Sequence, residues 1–300
     1  MKLVQWTLFI DMLGYRDING DIDSEKKAED FVSFMMENKK GLDFTNRQEV
    51  IEQYKKDQVF DLYMYYEVKH AFISDSLIIT FSPKEVEKLK NEKLRYMHSA
   101  NALFIILMRL QAIIFNCFSS KGIFLRGGIS TKYCYIKDEF AVGEGLIAAY
   151  KAESSLAIYP RIVFSEEVLA DQQLKSSIDT LSNLMYGGQN IIKRGDDGVY
   201  YLDYLGYNLS TIDLSLRMVL EWAMRDRTQF LSAVTHSRSF FDKHRQEIIK
   251  KLETLEAKKV GSNTDEVLRL DKVIEKFKWL KEYHNISLSK YEAFSEYLIS

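Results

Sequence analysis

Leu8-Phe9-Ile10-Asp11-Met12-Leu13-Gly14-Tyr15 is an apolar run that carries one carboxylate and stops at a glycine, the pattern of a buried strand that ends at a site. Burying a charge there is costly unless a partner or a cation shares it. Sixty-four residues after Asp11 stands Asp75, within Ala71-Phe72-Ile73-Ser74-Asp75-Ser76-Leu77-Ile78-Ile79-Thr80-Phe81. That stretch reads as two β-prone runs joined at a tight Ser-Asp-Ser corner. If its strands neighbour the first in one sheet, Asp11 and Asp75 can share divalent cations, an arrangement suited to phosphoryl or nucleotidyl transfer.

Outward from these segments the chain is legible as alternating strands and helices. Residues 2–11 alternate poorly, as a central strand does. Residues 25–39 set Phe31, Phe34 and Met35 at helical spacing behind the cap candidate Ser24. A more polar helix is expected at 46–57, then a hairpin over roughly 62–73 and 76–82 closed by Pro83. The most apolar stretch, Ala102 to Phe118, contains Arg109 and Gln111 and falls short of a membrane span, so it reads as a core helix over 98–118. A strand at 123–130 holds the pair Gly127-Gly128, followed by a hairpin at 131–142 and a helix from Glu144 to Ser154. A short strand at 160–164 feeds Ser165-Glu166-Glu167, an N-cap with acids in the first turn. Gly187-Gly188 reads as a turn, and a closing hairpin joins 190–194 to 199–205 through Gly-Asp-Asp-Gly. Beyond 206 the pattern becomes helical and charged, over 211–258 and 264–284, with a break at Gly261-Ser262-Asn263. The fold expected is an α+β domain at 1–205, a mixed or antiparallel sheet flanked by helices, with a helical extension at 206–300.

Composition narrows the function. The 300 residues are 46% hydrophobic and 13% aromatic with two prolines, enough for a sizeable core. A formal net charge of −2 does not predict a polyanion-binding surface, so nucleic acid is not an expected partner. Cys117 and Cys134 are too few for a four-cysteine zinc site, and the histidines at 70, 98, 236, 244 and 284 lack metal-ligand spacing. No signal peptide pattern opens the chain, so a cytoplasmic protein without membrane insertion is expected. There is no phosphate-binding P-loop, Gly-x-Ser-x-Gly elbow or Gly-Gly-Asp-Glu-Phe motif.

The ordered set of motifs resembles the class III nucleotidyl cyclases, whose core is ferredoxin-like. Those enzymes open on Phe-x-Asp-Ile-x-Gly-Phe, and here Phe9-Ile10-Asp11-Met12-Leu13-Gly14-Tyr15 stands in that place. Their second metal aspartate sits at the next hairpin tip, matched by Ser74-Asp75. Their Leu-Arg-x-Gly-Ile strand is matched by Leu125-Arg126-Gly127-Gly128-Ile129. The Trp-Gly-x-x-Val-Asn-x-Ala-x-Arg motif is echoed by Val142 to Lys151, and the terminal Val-Lys-Gly-x-Gly by Ile192-Lys193-Arg194-Gly195. The likeness covers about residues 3–205. Arg126-Gly127-Gly128-Ile129, Ala149-Tyr150-x-x-Glu153 and Tyr159-Pro160-Arg161-Ile162 are similar to the bacterial pyrimidine cyclases of Pycsar antiphage defence, as is the ending from Lys278 to Asn285.

The resemblance implies two Mn²⁺ or Mg²⁺ ions held by Asp11, Asp75 and the main-chain carbonyl of Met12. It implies Arg126 on the triphosphate, with Gly127 and Gly128 letting the ligand approach the backbone. Lys151 would replace the arginine that steadies charge on the α-phosphate, keeping the charge but losing the planar fork. Lys193 aligns with the terminal lysine. Ala71 and Phe140 occupy the positions that read adenine in adenylate cyclases, and neither offers a side-chain hydrogen bond. Ile147 replaces the ribose-orienting asparagine. A purine finds no readout there, so the base differs or the site is inactive. Tyr66, in the aromatic run 63–66, is either sheet packing or a stacking shelf for the base. The substrate implied is UTP, favoured over CTP, cyclised by a homodimer with shared sites, its product read by a separate cyclic-nucleotide-activated effector. A catalytically inactive nucleotide-binding or scaffolding module of the same fold remains the alternative.

Overall fold

The computed structural model describes residues 3–42, 65–85, 91–185 and 190–300. The helix expected at 46–57 and the turn at Gly187-Gly188 lie outside them. Strands β1 (Trp6–Leu13), β2 (Tyr66–Ile73), β3 (Ser76–Pro83), β4 (Phe124–Ser130), β7 (Ile162–Phe164), β8 (Ile192–Arg194) and β9 (Tyr200–Leu202) form one seven-stranded sheet. Its order is β2-β3-β1-β4-β7-β9-β8, and β5 (Tyr135–Lys137) pairs separately with β6 (Phe140–Val142). All pairings are antiparallel except β4 with β7. The first four strands in the order β2-β3-β1-β4, with helices after β1 and β3, make the ferredoxin-like unit. The α+β class and the mixed sheet flanked by helices are therefore as the sequence predicts.

Helices α1 (Tyr15–Gly20) and α2 (Glu25–Leu42) follow β1, and α3 (Glu92–Lys121) follows the hairpin. The long helix starts six residues before the apolar pattern because Asn91 accepts a hydrogen bond from the Lys93 amide at 2.9 Å. It ends where Gly122 takes a left-handed φ of 61° and returns its N–H to Phe118. This is the one described helix long and apolar enough to cross a membrane. It lies instead in the core, where Leu103, Leu107, Leu110, Ile114 and Phe118 meet Trp6, Leu8 and Ile10 of β1. Helix α4 (Glu144–Leu156) covers β4 and β1 from the opposite face, as does the β5–β6 ribbon over β2. Helices α5 (Glu166–Ala170) and α6 (Gln172–Met185) precede the closing hairpin. Ser165 sits at the N-cap of α5, but its hydroxyl donates to Ile129 O and meets Glu167 rather than capping.

Helices α7 (Tyr204–Ser210), α8 (Arg217–Arg225), α9 (Arg227–Lys259) and α10 (Thr264–Leu288) complete the chain with a 3₁₀ turn at Glu292–Tyr297. Helices α9 and α10 pack on each other and bring Phe240, Phe241, Phe277 and Tyr283 into the same core cluster as β1 and α3. Between them lies a buried polar chain. Tyr204 OH meets His244 Nε2 at 3.0 Å, His244 Nδ1 meets His284 Nδ1 at 2.9 Å, and His284 Nε2 meets Tyr297 O at 2.9 Å. The carbonyl only accepts, so His284 Nε2 carries a proton and its Nδ1 accepts. His244 Nδ1 therefore donates, and its Nε2 accepts from Tyr204. One more proton on His284 would put two N–H groups face to face.

Burial accordingly pushes the His284 pKa down to about 4, with Arg245 adding to the fall against the Tyr297 carbonyl, and pushes His244 well below its ordinary value, with His284 adding to the fall. The unfolded chain, with histidine near 6.5, then binds more protons than the folded one between pH 6.5 and 4, so stability is lost as the pH drops through that window and is present above it. The loss from His284 alone is about 2 kcal/mol between pH 7 and pH 5. Urea unfolding at the two pH values measures it, and the loss should shrink in His284→Gln. An equal loss in the variant would place the proton elsewhere.

Candidate active site

The register of β1 with its neighbours puts Asp11 opposite Ser76 on one side and Arg126 on the other. Strand β1 runs two residues past Asp11, to Leu13, so this aspartate lies within the strand and not at its end. Side chains alternate along β1, which turns Ile10 and Met12 toward α3 and Phe9 and Asp11 toward α4. The hairpin corner is tight because Ser74 adopts a left-handed φ of 57°. Its carbonyl at Asp75 accepts from the Met12 amide at 3.3 Å, which ties the corner to β1. Asp11 in the C-terminal half of β1 and Asp75 at the β2–β3 corner thus lie on the same side of the sheet's rim, and both act electrostatically on Glu153 of α4. Met12 has its side chain in the core, 4% exposed, beneath this pair.

Arg126 reaches the same place from β4. Its Nε donates to Asp11 Oδ2 at 2.8 Å and lies 2.8 Å from Glu153 Oε1. Burial pushes the Glu153 carboxyl above its ordinary range, and the Arg126 charge opposes that rise. Lys276 of α10 faces the group as well. Desolvation, with the Arg126 charge beside it, lowers its ammonium, while Asp11 and Glu153 act in the other direction. Among the described residues no three carboxylate, histidine or cysteine side chains form a ready cation cage. Asp11 on β1 and Asp75 at the neighbouring corner are carboxylates that could hold a divalent ion only if further ligands came from outside the chain.

The other expected residues fall elsewhere in the chain. Lys151 is exposed on the outer face of α4, on a groove of ≈ 560 Å³ with Lys132, Glu144, Ile147 and Glu167. Lys193 is on β8, four strands from β1, and binds Asp203 Oδ2 at 2.6 Å. Ala71 is covered by Cys134 and Ile136, and Phe140 stands 78% exposed on β6. Tyr66 is corrected to a core residue. It lies at the end of β2 opposite the aspartate corner, is wholly buried, and donates its hydroxyl to Val4 O at 2.8 Å.

The glycine pair also has a different role from the one expected. A Cβ on Gly128 would lie 2.0 Å from Ala149 O, and one on Gly127 2.6 Å from Phe9 O. Both glycines serve close packing, of α4 on β4 and of β4 on β1, and neither opens the backbone to a ligand. Arg161, known from the sequence only as part of a motif, is 1% exposed. It is paired with Asp197 and boxed by the rings of Tyr159, Tyr201 and Trp279. Glu153 and Lys276 are the site residues that sequence reasoning missed. Glu153 had only its place in Ala-Tyr-x-x-Glu to mark it, and Lys276 no signal at all.

No family model and no curated protein matches the chain. Among solved structures it is similar to the guanylyl cyclase Cya2, with 11% sequence identity and a TM-score of 0.28, over 68% of this chain and 93% of that one.

Proposed function

We propose that the chain is a nucleotidyl cyclase acting on a pyrimidine triphosphate, UTP favoured over CTP, releasing the 3′,5′-cyclic monophosphate and pyrophosphate. The observation that carries this reading is the placing of Asp11, Asp75 and Arg126 beside one another in the C-terminal half of β1, through the Met12–Asp75 backbone bond and the Asp11–Arg126 register. Divalent Mn²⁺ or Mg²⁺ held by the two aspartates and the Met12 carbonyl would activate the ribose 3′-hydroxyl and neutralise the leaving pyrophosphate. Arg126 binds the triphosphate. Lys151 stabilises charge on the α-phosphate from a second protomer, because it points away from Asp11 in its own.

Ile147 on α4 (66%), Phe140 on β6 (78%) and Tyr133 before β5 (64%) are large exposed side chains, which supports a homodimer that covers them. Ala71 and Phe140 offer a base no polar side chain, which supports a pyrimidine over adenine. The similarity of its motifs to the Pycsar cyclases supports a cytoplasmic role in antiphage signalling, with the product read by a separate effector.

Incubation with each of the four ribonucleoside triphosphates and Mn²⁺, with products identified by mass spectrometry, tests the reaction. One cyclic pyrimidine monophosphate is expected, and a purine product would overturn the reading of Ala71 and Phe140. The alternative, an inactive nucleotide-binding module, is favoured by Ile147 and Lys151 and by the engagement of Asp11 with Arg126, and retention of both aspartates and Arg126 argues against it. Mixing Asp75→Asn with Lys151→Ala subunits separates the two, since only a shared-site enzyme regains turnover.

A further inference from the structure

Arg126 has one Nε–H and two carboxylates in front of it. The hydrogen points to Asp11 Oδ2, and Glu153 Oε1, at the same 2.8 Å, receives no hydrogen bond. The Glu153 side chain is only 3% exposed, so water does not serve that oxygen in full. A buried acceptor left unserved is costly, which favours a second arrangement in which the Nε–H turns to Glu153. Glu153 is well placed to receive it. Its backbone N lies 2.9 Å from where a Cβ on Gly128 would stand, so helix and strand are seated directly on each other. From the far side, Phe277 of α10 packs on Phe124 with ring centroids 5.5 Å apart, and its neighbour Lys276 balances the cluster.

We propose that Glu153 is a positioning residue that holds the Arg126 guanidinium whenever Asp11 is drawn to a divalent cation. This rests on the reading of Asp11 and Asp75 as cation ligands. With Glu153 in place, a cation that takes Asp11 hands Arg126 to a waiting carboxylate. Without it, Arg126 loses its only other anionic partner in the pair and competes with the cation for Asp11.

Mn²⁺ binding to the nucleotide-free protein, read by electron paramagnetic resonance, tests this without any turnover. Glu153→Met is expected to weaken Mn²⁺ binding by roughly ten-fold or more. Glu153→Gln, which keeps an acceptor but not the charge, should recover most of the loss. Adding Arg126→Gln to Glu153→Met removes the competitor and should restore binding. Unchanged binding in Glu153→Met, equal losses in Glu153→Met and Glu153→Gln, or no recovery in the double variant would each overturn the proposal. Failure of the wild-type protein to bind Mn²⁺ in a manner abolished by Asp75→Asn would overturn the cation reading and this proposal together.

Discussion

Asp75→Asn is expected to lower cyclase turnover by at least about a hundred-fold, since a metal-borne stabilisation of several kcal/mol depends on that charge. The fold should not notice. Asp75 is partly exposed at a hairpin corner that asparagine accepts equally well. The bond that ties the corner to β1 uses its main-chain carbonyl and not its side chain. Product formation measured beside a thermal melt therefore separates chemistry from folding. A variant that keeps more than about a tenth of the wild-type rate would remove Asp75 from the site, given the size of the effect required.

Gly128→Ala should do the reverse and act through the fold. The atoms a new Cβ would meet are Ala149 O at 2.0 Å, Glu153 N at 2.9 Å and Ala149 C at 3.0 Å. All three belong to the α4 backbone, so no side chain can swing away and the helix must lift from the sheet. Overpacking of this kind costs about 3 kcal/mol. That lowers the melting temperature by roughly 5 °C or more in a chain of this size. Because α4 also carries Lys151 and Glu153, activity should fall further than stability accounts for. Gly20→Ala, where a Cβ has nothing within 4 Å, is the control. A Gly128→Ala protein that melts with the wild type would mean that α4 is not seated as described.

Much of the frame was legible before any coordinates. The apolar runs of β1 and β3, the long helix α3 and the break at Gly261 are each local signals, set by side-chain periodicity and by glycine's access to left-handed φ. Asp11 and Asp75 stood out because a carboxylate beside an apolar run needs a partner. Tyr66 did not resolve from sequence alone, because the run from 63 to 66 favours sheet packing without ruling out a stacking shelf for a base. Only its position at the end of β2 opposite the corner, with its hydroxyl on Val4, decides for packing. The glycine pair misled for a related reason. Glycine in a strand signals close approach without saying whether a ligand or a helix approaches.

The sequence by itself determined the α+β class and singled out Asp11 and Asp75 as candidates, since both follow from the pattern of neighbours along the chain, while Arg126 entered through the resemblance of its motif. The tertiary structure alone decided that Glu153 shares Arg126 with Asp11, that Lys276 comes from a helix 150 residues away from Arg126, and that His244 and His284 form a neutral pair. These depend on which faces of α4, α9 and α10 meet the sheet. Charge pairing acts through a few ångströms of space and leaves no period in the chain to be read.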